Sequence, residues 1–403
     1  MRRVIRRLHK AGFEALLAGG CVRDILLGKT PHDYDVATSA QPDAVAELFP
    51  RTLMVGAQFG VVVVLSGGQQ IEVATFRHDA VYADGRHPTK VVFSNARQDA
   101  ERRDFTINGM FLDLSTDEIV DYVHGQEDLA RHVVRAIGNA NTRFAEDHLR
   151  MLRAIRFACQ LEFDIAPDTW AAIRRHAAKI SRVSRERITG ELERILVNPE
   201  RLRGVKLLRD SRLLKAIFPL VDSDKLNSGI KVLGYLPKCC SFSLAVAALF
   251  SSFNGSEVNG LCRDLKTSNH ARKHAQWLVE NHAMLLAAIP MSRGQLKKWL
   301  AEPLFEPAIQ LGRASLRAAG KSETPLRRLR QQVKELGDES ISPPRLLDGH
   351  ELIALGAKPG PTVGQLAEEL YLAQLENHIT TKAQAWEWVT KWLTMHSEKT
   401  DRR

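Results

Sequence analysis

No apolar run in this chain approaches the ~20 residues that a membrane-spanning helix needs. The longest candidate, Phe242 to Phe250, has the length of a buried helix. Cysteine is scarce and poorly spaced: Cys21, Cys159, Cys239, Cys240 and Cys262 are odd in number, and none forms a C-x-x-C pair. That argues against a disulfide frame or a zinc ribbon and fits a reducing cytoplasm. No internal repeat or low-complexity segment is present. His270 and His274 lie one helical turn apart, with His282 two turns further on, but no Glu or Cys partner sits beside them for zinc. An H…H-D…D series is also missing, which argues against an appended metal-dependent phosphohydrolase.

What is there is a globular mixture. The 403 residues are 44% hydrophobic and 26% charged, enough for two to four domains and inconsistent with disorder as the main state. Lys plus Arg outnumber Asp plus Glu by 57 to 47, a net charge of +10. Such a surplus favours a polyanionic partner, nucleic acid or nucleotide before membrane. The Arg-rich start, MRRVIRRLHK, reads as a first helix with Val4, Ile5 and Leu8 on one face, not as a targeting signal.

Texture changes near residue 140. Before it, short strands are expected at Leu16 to Ala18, Tyr34 to Ala37, Val61 to Leu65, Ile71 to Phe76, Val91 to Phe93 and Ile119 to Tyr122. The segment SGGQQ between two of them is a hairpin signal. Beyond residue 140 helical periodicity takes over, broken at Asn198-Pro199, around Pro237, at Asn254-Gly255 and at Ser342-Pro343-Pro344. The fold class is therefore α+β: a mixed-sheet head over 1–140, then an all-helical arm.

Three clusters in the head carry chemistry. In LLAGGCVRDILLG a strand ends at Gly19-Gly20 and a helix follows at once, the outline of a phosphate cradle, though an ordinary tight turn has the same outline. In PHDYDVAT, Asp33 and Asp35 are two apart and leave a strand on one face. Paired carboxylates repel unless a cation sits between them, and Mg²⁺ suits oxygen ligands and phosphates. A solvated strand edge would look similar. Glu72, on the neighbouring hairpin, is a candidate third carboxylate, or faces solvent. ERRDFTIN supplies Arg103, Asp104 and Asn108, which a capped helix start with exposed arginines would also explain. Past the head, EDHLRMLRAIR places Asp147, Arg150, Arg153 and Arg156 in steps of three along a predicted helix, facing a cleft or solvent.

Taken in order, GG-x-V-R-D, D-x-D, R-R-D-F-T-I-N and E-D-x-x-R-M-L-R-x-x-R resemble the class II tRNA nucleotidyltransferase and bacterial poly(A) polymerase family, of the polymerase-beta-like nucleotidyltransferase superfamily. The resemblance runs from about Leu16 to Val197. It implies a nucleotidyltransferase head at 1–140, a helical neck at 141–200, a helical body at 201–340 and a helical tail at 341–403. Asp33 and Asp35, with Glu72 as a weaker third, would hold two Mg²⁺ ions. Gly20, Arg23, Arg103, Asp104 and Asn108 would meet phosphates and ribose. Asp147 and Arg150 would read the base, with Arg153 and Arg156 serving phosphates or steadying that pair. Cytosine and adenine each offer an amino donor beside a ring-nitrogen acceptor, which a carboxylate and a guanidinium match; guanine and uracil offer the inverse.

Two features lean toward CCA addition from CTP and ATP on the tRNA acceptor arm. MVGAQFGVVVV is similar to the CCA-enzyme form of that strand, lacking the charged neighbours of poly(A) polymerases. YADGRHPTKVVF resembles the loop needed for the final A, with Asp84, Gly85 and Arg86 at its core. A-only addition, poly(A) synthesis and a non-catalytic RNA-binding role stand as alternatives. The Arg-rich stretch RRHAAKISRVSRERITGELERIL is expected to lie against RNA phosphates. In GHELIALGAKPGPTVGQLAEEL a new helix is expected near Gly364.

Overall fold

The structure is a computed structural model that describes residues 1–54, 56–79, 91–286 and 291–400. Asp84, Gly85 and Arg86 lie outside the described residues. The chain forms two compact units. The first comprises Met1–Ser223 with two short returns, Lys238–Phe242 and Cys262–Thr267; the second holds Asp224–Pro237, Ser243–Leu261 and Ser268–Arg403.

The first unit opens with the helix Arg2–Lys10, which buries Val4, Ile5 and Leu8 as the apolar spacing requires. The strands that follow are β1 (Ala15–Ala18), β2 (Asp35–Thr38), β3 (Thr52–Leu53), β4 (Val61–Ser66), β5 (Gln69–Thr75), β6 (Arg77–Asp79), β7 (Val91–Phe93), β8 (Phe111–Asp113) and β9 (Glu118–Val120). Seven of these form one sheet in the order β3-β4-β5-β2-β1-β8-β9, while β6 and β7 pair separately. All four residues of β1 are buried, as expected of a strand covered on both faces. The hairpin joining β4 to β5 turns on Gly67 and Gly68, at φ +61° and +78°, the left-handed pair that matches strand twist. Phe76 and Phe111 meet edge-to-face, 6.1 Å between centroids, in a core shared with Leu16, Ala37 and Val123.

Several boundaries differ from expectation by a residue or two: β2 begins at Asp35, β5 ends at Thr75 and β9 covers Glu118–Val120. The sequence reading missed β3, β6 and β8, and also the short strands Val133–Val134 and Asp164–Ile165, the latter within the arm expected to be all-helical; each is two or three residues long. Such strands are too short to show a period and are held by their partners, as β8 is by Leu17 opposite Leu112.

Beyond the sheet, a short parallel pair, β10 (Val133–Val134) and β11 (Asp164–Ile165), precedes a packed set of helices. Helix Arg150–Leu161 lies against both Arg185–Leu196 and Arg201–Asp210. The two returns satisfy buried polar groups here: the Arg201 guanidinium donates to the Lys238 carbonyl, and the Thr189 hydroxyl donates to the Leu265 carbonyl.

The second unit is helical. Helix Phe242–Leu249 buries every residue from Ser243 onward, so its apolar run is core, as its length suggested. Gly229 faces its end so closely that a Cβ would come within 1.8 Å of the Leu249 carbonyl oxygen. The last three helices, Gly349–Ala354, Pro361–Leu375 and Lys382–Thr400, share a core of Leu352, Leu366, Leu370, Val389 and Trp392. The helix expected near Gly364 starts at Pro361, because proline suits the first turn and Gly360 precedes it at φ +133°. His270 and His274 have ring centroids 3.8 Å apart, and His282 is buried with Nδ1 3.0 Å from the Leu278 carbonyl. No helix among the described residues is long and apolar enough to cross a membrane.

Candidate active site

The site grows from the edge where β1 ends. Gly19, at φ +75°, turns the chain from β1 into the helix Gly20–Leu26. A Cβ on Gly19 would stand 2.9 Å from Arg103 Nη1, so the bare backbone lets that guanidinium lie across the turn without shifting.

Beside this turn stands a carboxylate at the start of β2. Asp35 is the first residue of β2, and the parallel register sets Glu72 of β5 directly opposite it. Paired residues on adjacent strands project from the same face, so Glu72 is a neighbour of Asp35, and it is also exposed to solvent. Asp33 precedes the strand rather than lying on it. Asp35 has an accessible tip but stands among protein atoms that displace bulk water. Its pKa is pushed up to about 6, by this desolvation first, then by Glu72, and also by Asp33, with Arg103 opposing.

Facing the carboxylates is a lattice of arginines with buried counter-ions. Asp99, almost wholly buried, pairs with Arg102 at 2.7 Å and Arg103 at 2.9 Å. Burial alone would raise the pKa of Asp99, but Arg103 and Arg102 outweigh it and hold the group below its ordinary value. Asp104 behaves in the same way: desolvation opposes Arg153, and Arg153 prevails. Arg153 Nη2 lies 2.7 Å from Asp104 Oδ2, while Asn108 Nδ2 donates to Asp104 Oδ1 and Arg23 Nη1 donates to Asn108 Oδ1 at 2.7 Å. Arg23, Arg153 and Arg156 also stack over the Phe157 ring, Arg156 nearest at 4.2 Å. Arg156 pairs with buried Glu191 at 2.8 Å, yet burial still lowers its pKa to about 10.

One expected arrangement is corrected. Asp147 does not share a helix with the arginines. Helix Ala140–Glu146 stops before it, Asp147 is extended at φ −142°, and the next helix begins at Arg150. The cause is local: the Leu149 N–H donates to Asp147 Oδ1 at 2.9 Å, and that turn competes with helix continuation. The other oxygen, Oδ2, pairs with Arg187 at 2.7 Å. Arg150 pairs with Glu146 at 2.6 Å.

These groups line a cleft of about 430 Å³, within the range of small-molecule sites. It gathers Gly20, Arg23 and Asp35 from the first two clusters, Arg103, Asp104 and Asn108 from RRDFTIN, and Asp147, Arg150 and Arg153 from the segment after it. Asp33, Glu72 and Arg156 lie off its walls, whereas Arg102 and Phe157, which the sequence did not single out, lie on them.

Residues 15–135 match the poly A polymerase head domain, and residues 162–225 match a probable RNA and SrmB-binding site of polymerase A. Over nearly its whole length the chain is similar to CCA-adding enzymes. It is 32% identical to that of Streptococcus agalactiae over 394 residues, covering 95% of this chain and 94% of the relative. With that of Lactobacillus delbrueckii subsp. bulgaricus it shares 34% over 386 residues, covering 93% of each. The chain belongs to the CCA-adding enzyme family. It is a nucleotidyltransferase, and the expected α+β class holds. The crystal structure of the Bacillus stearothermophilus CCA-adding enzyme in complex with CTP has the same fold, with a TM-score of 0.78, 28% identity and 98% coverage of both chains. That of Thermotoga maritima complexed with tRNA, at 19% identity and a TM-score of 0.66, shares the fold.

For a CCA-adding enzyme, the groups that sequence reasoning passed over are mostly the counter-ions. Asp99 could have been found, since it lies three and four residues before Arg102 and Arg103, the spacing of one helical turn. Glu191 and Arg187 reach Arg156 and Asp147 across the tertiary fold, and nothing in their local sequence marks them.

Proposed function

We propose that this CCA-adding enzyme extends tRNA 3′ ends with C, C and A from CTP and ATP, in the cleft between the β2 carboxylates and the arginine lattice. The observation that carries the reading is the convergence of acidic and basic groups on one cleft, with a carboxylate and a guanidinium, Asp147 and Arg150, on its wall. Arg23 and Arg103 bind the triphosphate, Asn108 meets the ribose, and Asp104 orients Arg153 and Asn108. Asp147 accepts from the base amino group and Arg150 donates to the ring nitrogen. Residues 1–140 serve as head, 141–200 as neck, 201–340 as body and 341–403 as tail, the last two for the acceptor arm.

Asp33 and Asp35, with Glu72 alongside, fit divalent metal. They are hard oxygen donors, and burial first, then the neighbouring Glu72 carboxylate, push the pKa of Asp35 up to about 6, a cost that a bound cation would offset. Among the described residues no three His, Cys, Asp or Glu side chains form a complete ligand set. Mg²⁺ is commonly held by one or two carboxylates plus substrate phosphates and water. Two such ions, when bound, would acidify the RNA 3′-hydroxyl and neutralise the leaving pyrophosphate.

The test is incubation with tRNA lacking CCA, and separately with an oligo(A) primer, plus Mg²⁺ and each nucleotide. Extension of the tRNA by C, C and A supports the reading; homopolymer growth on oligo(A) alone overturns it. Asp33→Ala or Asp35→Ala should lower addition of both nucleotides by roughly a thousandfold, the scale of losing a metal clamp, and leave tRNA affinity unchanged. Deleting Asp84 to Arg86 should preserve CC addition and suppress the terminal A, resolved on a gel.

A further inference from the structure

We propose that His270 and His274, in the second unit, form a two-imidazole site for a borderline divalent transition metal of the Zn²⁺ class. Neither histidine lines the cleft, and CCA addition gives the pair no role. Both lie on helix Asn269–Asn281, four residues apart, and histidines at that spacing share one helical face and can grip one ion. The rings are already side by side, with centroids 3.8 Å apart. His270 is exposed and His274 half-buried, so an ion can reach them from solvent. The first turn, which carries His270, is fixed by Ser268, whose Oγ accepts from the Ala271 N–H at 3.1 Å.

No acidic residue flanks the pair in sequence, but the fold supplies one. Trp277, three residues beyond His274, meets Trp299 edge-on, with centroids 5.5 Å apart and planes at 63°. Glu302 follows three residues after Trp299, and its N–H donates to the Trp299 carbonyl at 3.0 Å. The Trp contact thus brings Glu302 near enough for its charge to act on His274. Burial first, and then His270, hold the His274 pKa below its ordinary value, with Glu302 opposing. A ring so held is neutral at neutral pH, and only the neutral ring has a lone pair to give a metal. Glu302 is a neighbouring charge and not a ligand, since no three His, Cys, Asp or Glu among the described residues are placed to share an ion. Water would complete the coordination. Exposed Lys273 lies between the histidines in sequence, and the helix N-terminus is positive, so charge alone does not draw a dication here. Coordination must do so, and imidazole suits Zn²⁺, Cu²⁺ and Ni²⁺ where Mg²⁺ prefers oxygen.

The experiment titrates the full chain with Zn²⁺ by calorimetry, in excess Mg²⁺ to occupy the carboxylates of the cleft, for wild type, His270→Ala, His274→Ala and Glu302→Gln. Melting curves without Zn²⁺ confirm that each variant is folded, and His274→Gln replaces His274→Ala if the latter is not. Either histidine substitution should weaken Zn²⁺ binding by about a hundredfold or more, and Glu302→Gln by about tenfold, since loss of a group outside the coordination shell already costs about 10–100-fold. With Cu²⁺ as the probe, electron paramagnetic resonance should show two coordinated nitrogens in wild type and one or none in each histidine variant. Zn²⁺ affinity that survives in either histidine variant, or that falls as Mg²⁺ is raised, overturns the site. So does a Cu²⁺ spectrum with the same nitrogens in wild type and both histidine variants.

Discussion

Replacing Asp99 by Asn removes the buried charge that aims Arg102 and Arg103 into the cleft. Breaking a buried pair on one side typically costs about 3–5 kcal/mol, so Asp99→Asn should be clearly less stable at pH 7 by urea unfolding. The pH dependence has a definite sign. The folded pKa of Asp99 lies below its unfolded value, so its contribution is complete at neutral pH and fades as pH falls from about 4 through the folded pKa. The stability gap between wild type and Asp99→Asn should therefore narrow in acid, and a constant gap would show that the charge is not the cause. Legibility at this scale divides by sequence distance. Asp33 and Asp35 announce themselves by being two apart, and Asp99 lies within one helical step of its partners. Glu72 becomes informative only once the register sets it against Asp35, and Arg187 only once its helix folds back on Asp147.

At the scale of elements, periodicity served long helices and failed at their junctions. The step of three from Asp147 to Arg156 looked like one helix, but an Asp can break a helix with its own side chain, and this one does. The Gly67-Gly68 turn was legible because a two-residue hairpin demands left-handed residues, whereas β8 has too few residues to alternate. Close packing of elements is equally silent in sequence. Gly229 sits in the helix Ser223–Leu233 where its place could be taken for a small residue of convenience. The carbonyl of Leu249 leaves it no such latitude. Gly229→Ala would raise intrinsic helix propensity, yet it should destabilise the second unit by about 1–3 kcal/mol through overpacking. A rise in melting temperature for this variant would contradict the packing.

For the molecule as a whole, the charge of +10 is an argument about association and not about fold. Binding that releases counterions from RNA weakens steeply with salt. KM for tRNA should rise roughly tenfold or more between about 50 and about 200 mM salt, while KM for CTP moves far less. A salt-independent KM for tRNA would remove the electrostatic account. The change of texture near residue 140 correctly separated sheet from helices. It could not reveal that the first compact unit recruits residues as far along as Thr267. Contacts of that range leave no local period.

Those returns set a timetable for synthesis. When a ribosome has released residues up to Ser223, Arg201 and Thr189 still lack the Lys238 and Leu265 carbonyls that satisfy them. Translation of the missing stretch takes on the order of seconds, long compared with helix formation. Helices Arg185–Leu196 and Arg201–Asp210 must therefore wait for those two acceptors, and the first unit is finished only after part of the second has left the tunnel.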